Sequence, residues 1–328
     1  MRVLPCLLLL LFSLLMPIPM EKMTAQDSVR VQEFYRLAGE IQEQIWPGWG
    51  GTPAPLLLVT PTNEFLTHVA KAPQGFTDAG DGSFVRARQF PTNFQATFPA
   101  FGPPSVIVVG TPQNTASKTS TPWLIMLMHE HFHQLQDAQP DAFELVDQLG
   151  LSHGDKTGMW MLNYPFPYEK PEVGRSFRNL RDRLLAALAE VNDERFKPLA
   201  AQYLRQRRAF FRLLAPDDRK YFNFQLWKEG IARYTEVRAA EAAAHYQPTR
   251  EFAALPDYTS FLEYGKNYRQ STLKELEEAN FAESKRISFY SFGAAEGFLL
   301  DRFEPGWKEQ YFGHPFTLDE FFEKSGSD

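Results

Sequence analysis

The sequence predicts an α+β fold, with a small mixed sheet in its first part and a mostly helical lobe in its second. Two short apolar runs bounded by proline and glycine, at 54–60 and 105–109, predict buried strands. After Trp123 the dominant pattern is apolar residues at helical spacing. A polar loop at 111–122 separates these two patterns.

The length and composition are those of an ordinary globular protein. A chain of 328 residues can form two lobes that share a cleft, and we assign 26–137 to a strand-bearing N-terminal lobe and 138–328 to a helical lobe. An apolar fraction of 44% and a charged fraction of 23% exclude disordered and collagen-like proteins. The net charge of −6, without a cluster of Lys and Arg, disfavours nucleic acids and anionic membranes as partners.

Residues 1–25 have the pattern of a secretory signal peptide. Arg2 supplies the positive start, an apolar run follows at 7–16, and Ala25 is a small residue at a plausible cleavage site. The apolar run is too short to span a bilayer comfortably, so we favour a cleaved signal over a retained anchor. Cys6 lies within this segment, so the mature chain would contain no disulfide. The pattern favours a bacterial protein that is secreted or periplasmic.

The other elements follow from local patterns along the chain. Helical spacing predicts a first helix over 28–46, which ends at Pro47. Residues 71–104, rich in Gly, Phe and Pro, predict further short strands and turns. Thr121 and Pro122 predict the N-cap and first position of the next helix. The helices expected from there on are 123–137, 175–191, 195–214, 217–246, 270–280 and 288–303.

The strongest chemical signal is a group of histidines in the helix predicted at 123–137. His129, Glu130 and His133 match the pattern H-E-x-x-H. In a helix the two ligands lie one turn apart and can bind one zinc ion, while Glu130 is turned about 100° from them and can reach water at the metal. In a strand, His129 and His133 would instead share a face with His131, in the pattern H-x-H-x-H. The predicted helix start and the helical spacing of the apolar residues favour a helix. His131 then points away, and we expect it to pack without binding metal.

A catalytic zinc site needs a third protein ligand. Glu229 is the best candidate, because it is acidic, lies in an apolar helical stretch and is followed by Gly230, which would let this helix approach the histidines. Spacing alone does not decide between this role and a surface glutamate near a helix start. Glu236, on the same face, would orient a ligand or remain a solvated charge. His153 is a candidate donor on a loop, although a surface histidine is the favoured interpretation.

Three segments together resemble the gluzincin zinc metallopeptidases, especially the branch related to the membrane alanyl-type aminopeptidases. H-E-x-x-H at 129–133 is followed by W-x-E-G-x-A-x-Y-x-E at 227–236. The segment at 289–293, Phe-Tyr-Ser-Phe-Gly, is similar to the family's Y-x-x-G at the start of a helix, and the distance of 61 positions from Glu229 to Tyr290 is also similar. The resemblance covers about a third of the chain.

The resemblance implies a thermolysin-like catalytic domain that hydrolyses peptide or protein substrates with one Zn²⁺ per chain. The family's roles fall on His129, His133 and Glu229 as metal ligands, on Glu130 as general base and on Tyr290 as the donor that stabilises the oxyanion. Two alternatives are a non-peptide amide or ester hydrolase with the same site and a zinc-binding protein without turnover. The intact Glu130 argues against the second, since a purely structural site needs no base.

The sequence departs from the family pattern in three places. His133 and Glu229 are 96 positions apart, whereas the family has a short segment, so 140–225 would be an inserted helical region near the cleft. The G-x-M-E-N segment that binds a free substrate N-terminus is absent before the histidine helix, and we therefore expect little preference for free N-termini. Phe292 occupies the position of the family's Lys in Y-x-K-G.

Overall fold

The computed structural model describes residues 22–324 as a mixed α+β fold, which confirms the predicted class. Most of the predicted signal peptide, residues 1–21, lies outside the described residues. Thr24 is the N-cap of the first helix, where its hydroxyl oxygen accepts from the backbone N–H of Asp27 at 3.1 Å. Cleavage after Ala25, as the sequence suggests, would remove this cap.

A six-stranded mixed sheet forms one side of the molecule. Its order is β3-β4-β2-β1-β6-β5, with β1 and β6 parallel and the other neighbours antiparallel. The predicted strands at 54–60 and 105–109 correspond to β1 and β6, whereas β2 was not predicted. The strands are β1 (Leu56–Val59), β2 (Asn63–Thr67), β3 (Thr77–Asp78), β4 (Phe84–Ala87), β5 (Gln95–Phe98) and β6 (Val106–Gly110).

The two faces of the sheet are covered differently. Side chains such as Leu58 and Val109 face the helices and belong to the main core, which also contains residues from both predicted lobes. Leu57 and Val108 face the other way into a smaller apolar cluster, which loop phenylalanines cover. Strands β1 and β6 are therefore buried on both faces, which explains why their sequences are continuous apolar runs.

Helices make up most of the remaining chain. The helices are α1 (Ala25–Ile45), α2 (Ser120–Asp137), α3 (Ala142–Gln148), α4 (Trp160–Asn163), α5 (Pro171–Ala189), α6 (Asp193–Phe211), α7 (Pro216–Gln225), α8 (Ile231–Ala243), α9 (Arg250–Ala253), α10 (Phe261–Gly265), α11 (Tyr268–Glu278), α12 (Phe281–Ser284), α13 (Ser288–Phe303), α14 (Trp307–Gln310) and α15 (Asp319–Lys324). None of the helices within 22–324 is long and apolar enough to cross a membrane.

Two helix predictions need correction. Thr121 is not the N-cap and Pro122 is not the first helical position, because α2 begins two residues earlier than predicted, at Ser120, with Thr119 as its N-cap. The hydroxyl of Thr121 instead donates to the carbonyl oxygen of Thr259, which ties the helix start to a distant loop. The predicted helix at 217–246 is interrupted, since one π-helical turn separates α7 from α8.

Helix α2 lies at the centre of the fold. It contacts β5 and β6 on one side and α1 and α8 on the other. Almost every residue from Ser120 to Gln136 is buried for this reason. The histidine motif therefore lies in the interior, where polar side chains need partners.

Candidate metal centre

The structure brings His129, His133 and Glu229 together. The Oε2 atom of Glu229 lies 3.7 Å from Nε2 of His129 and 3.5 Å from Nε2 of His133. One donor atom from each residue lies within 4.8 Å of the others, and this buried group could hold a metal ion. The two histidines share a face of α2 because they are one helical turn apart.

The turn that carries Glu229 has π geometry. The π-helical turn Leu226–Gly230 joins α7 to α8, and such single turns are frequent at functional sites. Gly230 was expected to bring this segment close to the histidine helix, but it faces α13 instead. A Cβ atom on Gly230 would lie 2.5 Å from the Cα of Gly293, so the missing side chain lets α13 approach the turn.

The second ring nitrogen of His133 is held by an amide. Gln136, one turn further along α2, places its Oε1 atom 2.7 Å from Nδ1 of His133. The Nε2 group of Gln136 donates to the carbonyl oxygens of Trp227 and Lys228, at 3.0 Å and 3.2 Å, which fixes the amide orientation. Nδ1 of His133 therefore carries the hydrogen, and its Nε2 atom presents a lone pair towards Glu229.

The second ring nitrogen of His129 faces a carboxylate. Oε2 of Glu236 lies 3.2 Å from Nδ1 of His129 and 3.4 Å from Nη1 of Arg233. The hydroxyl of Tyr268 donates to the other oxygen of Glu236. Glu236 is buried, so the alternative of a solvated helix charge is wrong. A carboxylate behind an imidazole is a common arrangement at metal-binding histidines.

The electrostatics of the group favour a positive charge at its centre. Burial lowers the pKa of His129, but the carboxylates of Glu229 and Glu236 outweigh burial and raise the pKa to about 9. Burial raises the pKa of Glu229, yet the two histidines hold it well below its usual range. Without a metal, a proton on His129 supplies the charge that the carboxylates attract.

Glu130 lies beside the histidines and points towards the edge of the sheet. Its Oε2 atom accepts from the hydroxyl of Thr97 at 2.8 Å, and its Oε1 atom accepts from Nε2 of Gln95 at 3.1 Å. Gln95 and Thr97 are alternate residues of β5, so both side chains lie on one face of that strand. Glu130 is therefore held by two hydrogen bonds while it lines the cleft.

Tyr290 lies in the first turn of α13, as predicted, and lines the same cleft. Its ring is nearly parallel to that of His129, with the centroids 6.0 Å apart. Nη1 of Arg286 donates to the phenol oxygen at 2.9 Å and lies 3.8 Å from Oε1 of Glu229. Burial and the carboxylate of Glu229 raise the pKa of Tyr290 despite Arg286, so the phenol keeps its proton.

Two other candidate histidines lie away from His129, His133 and Glu229, which we call the metal group because they could hold a metal ion. His131 is fully buried on the opposite side of α2, where its ring contacts Gln42 and Gln134, and its expected packing role is confirmed. His153 is exposed on a loop and does not line the cleft. The structure therefore does not support His153 as a donor at the site.

The metal group lies in a cleft of about 1560 Å³. Residues of β5, α2, α3, α4, the π-helical turn and α13 line it. The segment from Pro140 to Leu162, which belongs to the predicted insertion, forms one of its walls. A cleft of this size exceeds the usual range for a small-molecule site, about 300–1,000 Å³, and can hold several residues of an extended chain.

Comparison of the chain with protein family models, with curated proteins and with solved structures finds no match.

Proposed function

We propose that this protein is a zinc-dependent hydrolase that cleaves peptides. The observation that carries the proposal is the convergence of His129, His133 and Glu229, with Glu130 beside them, in a cleft large enough for a peptide. We further propose a gluzincin-type arrangement, in which the H-E-x-x-H helix and the glutamate of a second helical segment share one ion. The apposition of α2 and the π-helical turn supports this proposal.

The residues present fit a zinc ion by their chemistry and spacing. Two neutral imidazole nitrogens and one carboxylate are a common ligand set for catalytic zinc. Ligand atoms about 2.0–2.1 Å from a tetrahedral zinc lie roughly 3.3–3.4 Å from each other. The separations of 3.5 Å and 3.7 Å between Glu229 and the histidines are close to that value. His129, His133 and Glu229 would hold the ion.

The surrounding residues have roles that suit hydrolysis. When bound, the metal would supply Lewis acidity, which lowers the pKa of water and polarises a carbonyl group. Glu130, oriented by Thr97 and Gln95, accepts a proton from the attacking water and returns it to the leaving nitrogen. Tyr290 keeps its proton and donates a hydrogen bond to the oxygen on which negative charge develops.

Metal analysis and activity on peptides test the proposal together. We expect about one zinc per chain in the purified wild type, and cleavage of a mixed peptide library that stops with chelator and returns with zinc. Glu130→Gln should keep the zinc and lose hydrolysis, because Glu130 is not a ligand. His133→Ala should lose the metal. Full zinc occupancy in His133→Ala, or normal turnover in Glu130→Gln, would refute the assignment.

A further inference from the structure

Three large apolar side chains are exposed along one wall of the cleft. Phe143 is 47% exposed, and Met159 and Leu162 are each 48% exposed. Among the described residues, the other exposed large apolar side chains lie outside the cleft: Val191, Leu213, Leu262 and Ile287. A single exposed apolar residue is ordinary, whereas a group on one concave surface indicates a binding site.

The surface behind these side chains is aromatic and leads to the metal group. The ring of Trp160 packs against Phe224, with centroids 5.3 Å apart. Phe316 packs against Phe224 at 5.5 Å and against Trp227 at 5.1 Å. All four rings line the cleft, and Trp227 precedes Glu229 by only two residues. The apolar wall is therefore continuous with the metal centre.

This wall is fixed to the helices beneath it. The carbonyl oxygen of Met161 accepts from the hydroxyl of Tyr221 and from Nε2 of Gln225, both at 2.8 Å. The backbone N–H of Trp160 donates to the carboxylate of Asp155 at 2.7 Å, which closes the loop before α4. A ligand would meet a preformed surface, which lowers the entropic cost of binding.

The part of the cleft around α8, α11 and α13 is different in character. Arg233, Tyr268 and Arg286 line it there, and the two arginines lie within 6 Å of the ring of Tyr290. The cleft is thus polar around Tyr290 and apolar beside Trp227. An extended substrate across the metal group would meet a different chemistry on each side of the reacting bond.

We propose that the apolar wall, defined as Phe143, Met159, Leu162 and the aromatic surface behind them, binds a bulky apolar side chain of the substrate next to the cleaved bond. This inference rests on the proposed function, and it specifies the substrate class as peptides with a residue such as phenylalanine or leucine at that position. The three exposed side chains of the wall belong to the segment that lengthens the interval between His133 and Glu229, so this segment sets specificity.

Binding to a variant that cannot hydrolyse peptides tests the wall directly. The probes are alanine-based peptides blocked at both ends and labelled with a fluorophore, with one phenylalanine moved through each position. Zinc-loaded Glu130→Gln protein should bind the best of these about 10- to 100-fold more tightly than the all-alanine peptide, as measured by fluorescence anisotropy. Adding Phe143→Ser, Met159→Ser and Leu162→Ser should abolish most of this preference and leave the all-alanine affinity unchanged.

The matched control replaces apolar residues elsewhere that are at least as exposed as those of the wall. Val191→Ser, Leu213→Ser and Leu262→Ser in the same background should keep the phenylalanine preference. Both triple variants should unfold at nearly the wild-type temperature, because exposed substitutions have little effect on stability. If the wall variant kept its preference, the proposal would be wrong. It would also be wrong if the wall variant changed only the oligomeric state in sedimentation, since the patch would then be a protein interface.

Cleavage by the wild type separates this inference from the proposed function. Cleavage without preference for an apolar residue beside the cut refutes the role of the wall and leaves the hydrolase intact. No cleavage, together with a phenylalanine preference in binding that depends on the wall, refutes the hydrolase and leaves a peptide-binding site. Preference in both experiments supports the two proposals together.

Discussion

Gly230 and Gly293 touch through their backbones, and a Cβ atom on either glycine would lie 2.5 Å from the Cα of the other. This contact presses α13, which carries Tyr290, against the π-helical turn that carries Glu229. The relative position of these two functional side chains therefore depends on two glycines that have no chemical role themselves.

Gly293→Ala should disturb both stability and the metal centre. The new methyl group meets backbone atoms that cannot move aside alone, so α13 and the turn must separate. We expect a loss of about 1–3 kcal/mol in the free energy of unfolding, measured with denaturant, and a weaker affinity for zinc. Gly174→Ala in α5 is the control, because nothing lies within 4 Å of its Cβ position, and it should be neutral or slightly stabilising. Equal behaviour of the two variants would refute the argument.

Glu236→Gln should weaken metal binding without removing a ligand. The carboxylate of Glu236 faces Nδ1 of His129 at 3.2 Å, and loss of its charge makes the imidazole a poorer donor. Removing such a partner lowers metal affinity by about 10- to 100-fold, which chelator competition can measure. Glu241→Gln is the control on the same helix, since Glu241 pairs with Arg238 and Arg269 away from the site. An unchanged zinc affinity in Glu236→Gln would contradict this role.

The parts of the site that lie within one helix could be predicted from the sequence. The spacing of His129 and His133 places both on one face of α2, whatever surrounds the helix. Pairing them with Glu229, 96 positions later, needed the family resemblance, because periodicity within a segment says nothing about which segments meet. The strand order likewise depends on pairings between distant residues, and only the apolar strands β1 and β6 had clear local patterns.

Several contacts had no signal in the sequence. The hydrogen bonds from Gln95 and Thr97 to Glu130 join a sheet edge to a helix, and neither residue type is distinctive. By contrast, the contact between Gln136 and His133 could have been predicted, since Gln136 follows His133 by three residues on the same helix. The contact between Arg286 and Tyr290, four positions apart, was equally local. The prediction of Thr121 as an N-cap was wrong because the Thr121 side chain makes a hydrogen bond to a distant loop instead.

Asp319→Asn should lower the free energy of unfolding at neutral pH and make it depend less on pH in the acidic range. Burial raises the pKa of Asp319, but Arg207 and Arg219 outweigh burial and lower it. A carboxylate with a depressed native pKa stabilises the fold above about pH 4 and loses that contribution as the pH falls through the native pKa. The variant should therefore lose about 1–3 kcal/mol near pH 7, and its difference from wild type should shrink below pH 4.

Denaturant unfolding between pH 2 and pH 7 measures this difference. Asp182→Asn is a suitable control, because Asp182 is exposed and, within residues 22–324, pairs with its neighbour Arg181 alone. Its stability should follow that of the wild type at every pH. A constant gap between Asp319→Asn and wild type across the whole range would show that ionisation of Asp319 contributes nothing.

Tyr290→Phe should reduce turnover while zinc content and folding persist. The change removes only the hydroxyl group, which we propose donates to the developing oxyanion. The loss of one such donor lowers kcat by about 10²- to 10³-fold with little change in KM. Steady-state kinetics on a cleaved peptide measures both constants. A variant that holds zinc and keeps a near-normal kcat would show that Tyr290 only packs.

Arg286 should act through Tyr290, and a double-mutant cycle can detect this. The guanidinium donates to the phenol oxygen at 2.9 Å, so it helps to hold the phenol in position beside Glu229. Arg286→Met should therefore lower kcat by less than Tyr290→Phe does, and the double variant should be no slower than Tyr290→Phe alone. Lys285→Met, at an exposed neighbouring cation, should leave kcat unchanged. If the fold-losses in kcat of the two single variants multiplied in the double variant, Arg286 would contribute independently of the phenol, by contact with Glu229 or with the substrate itself.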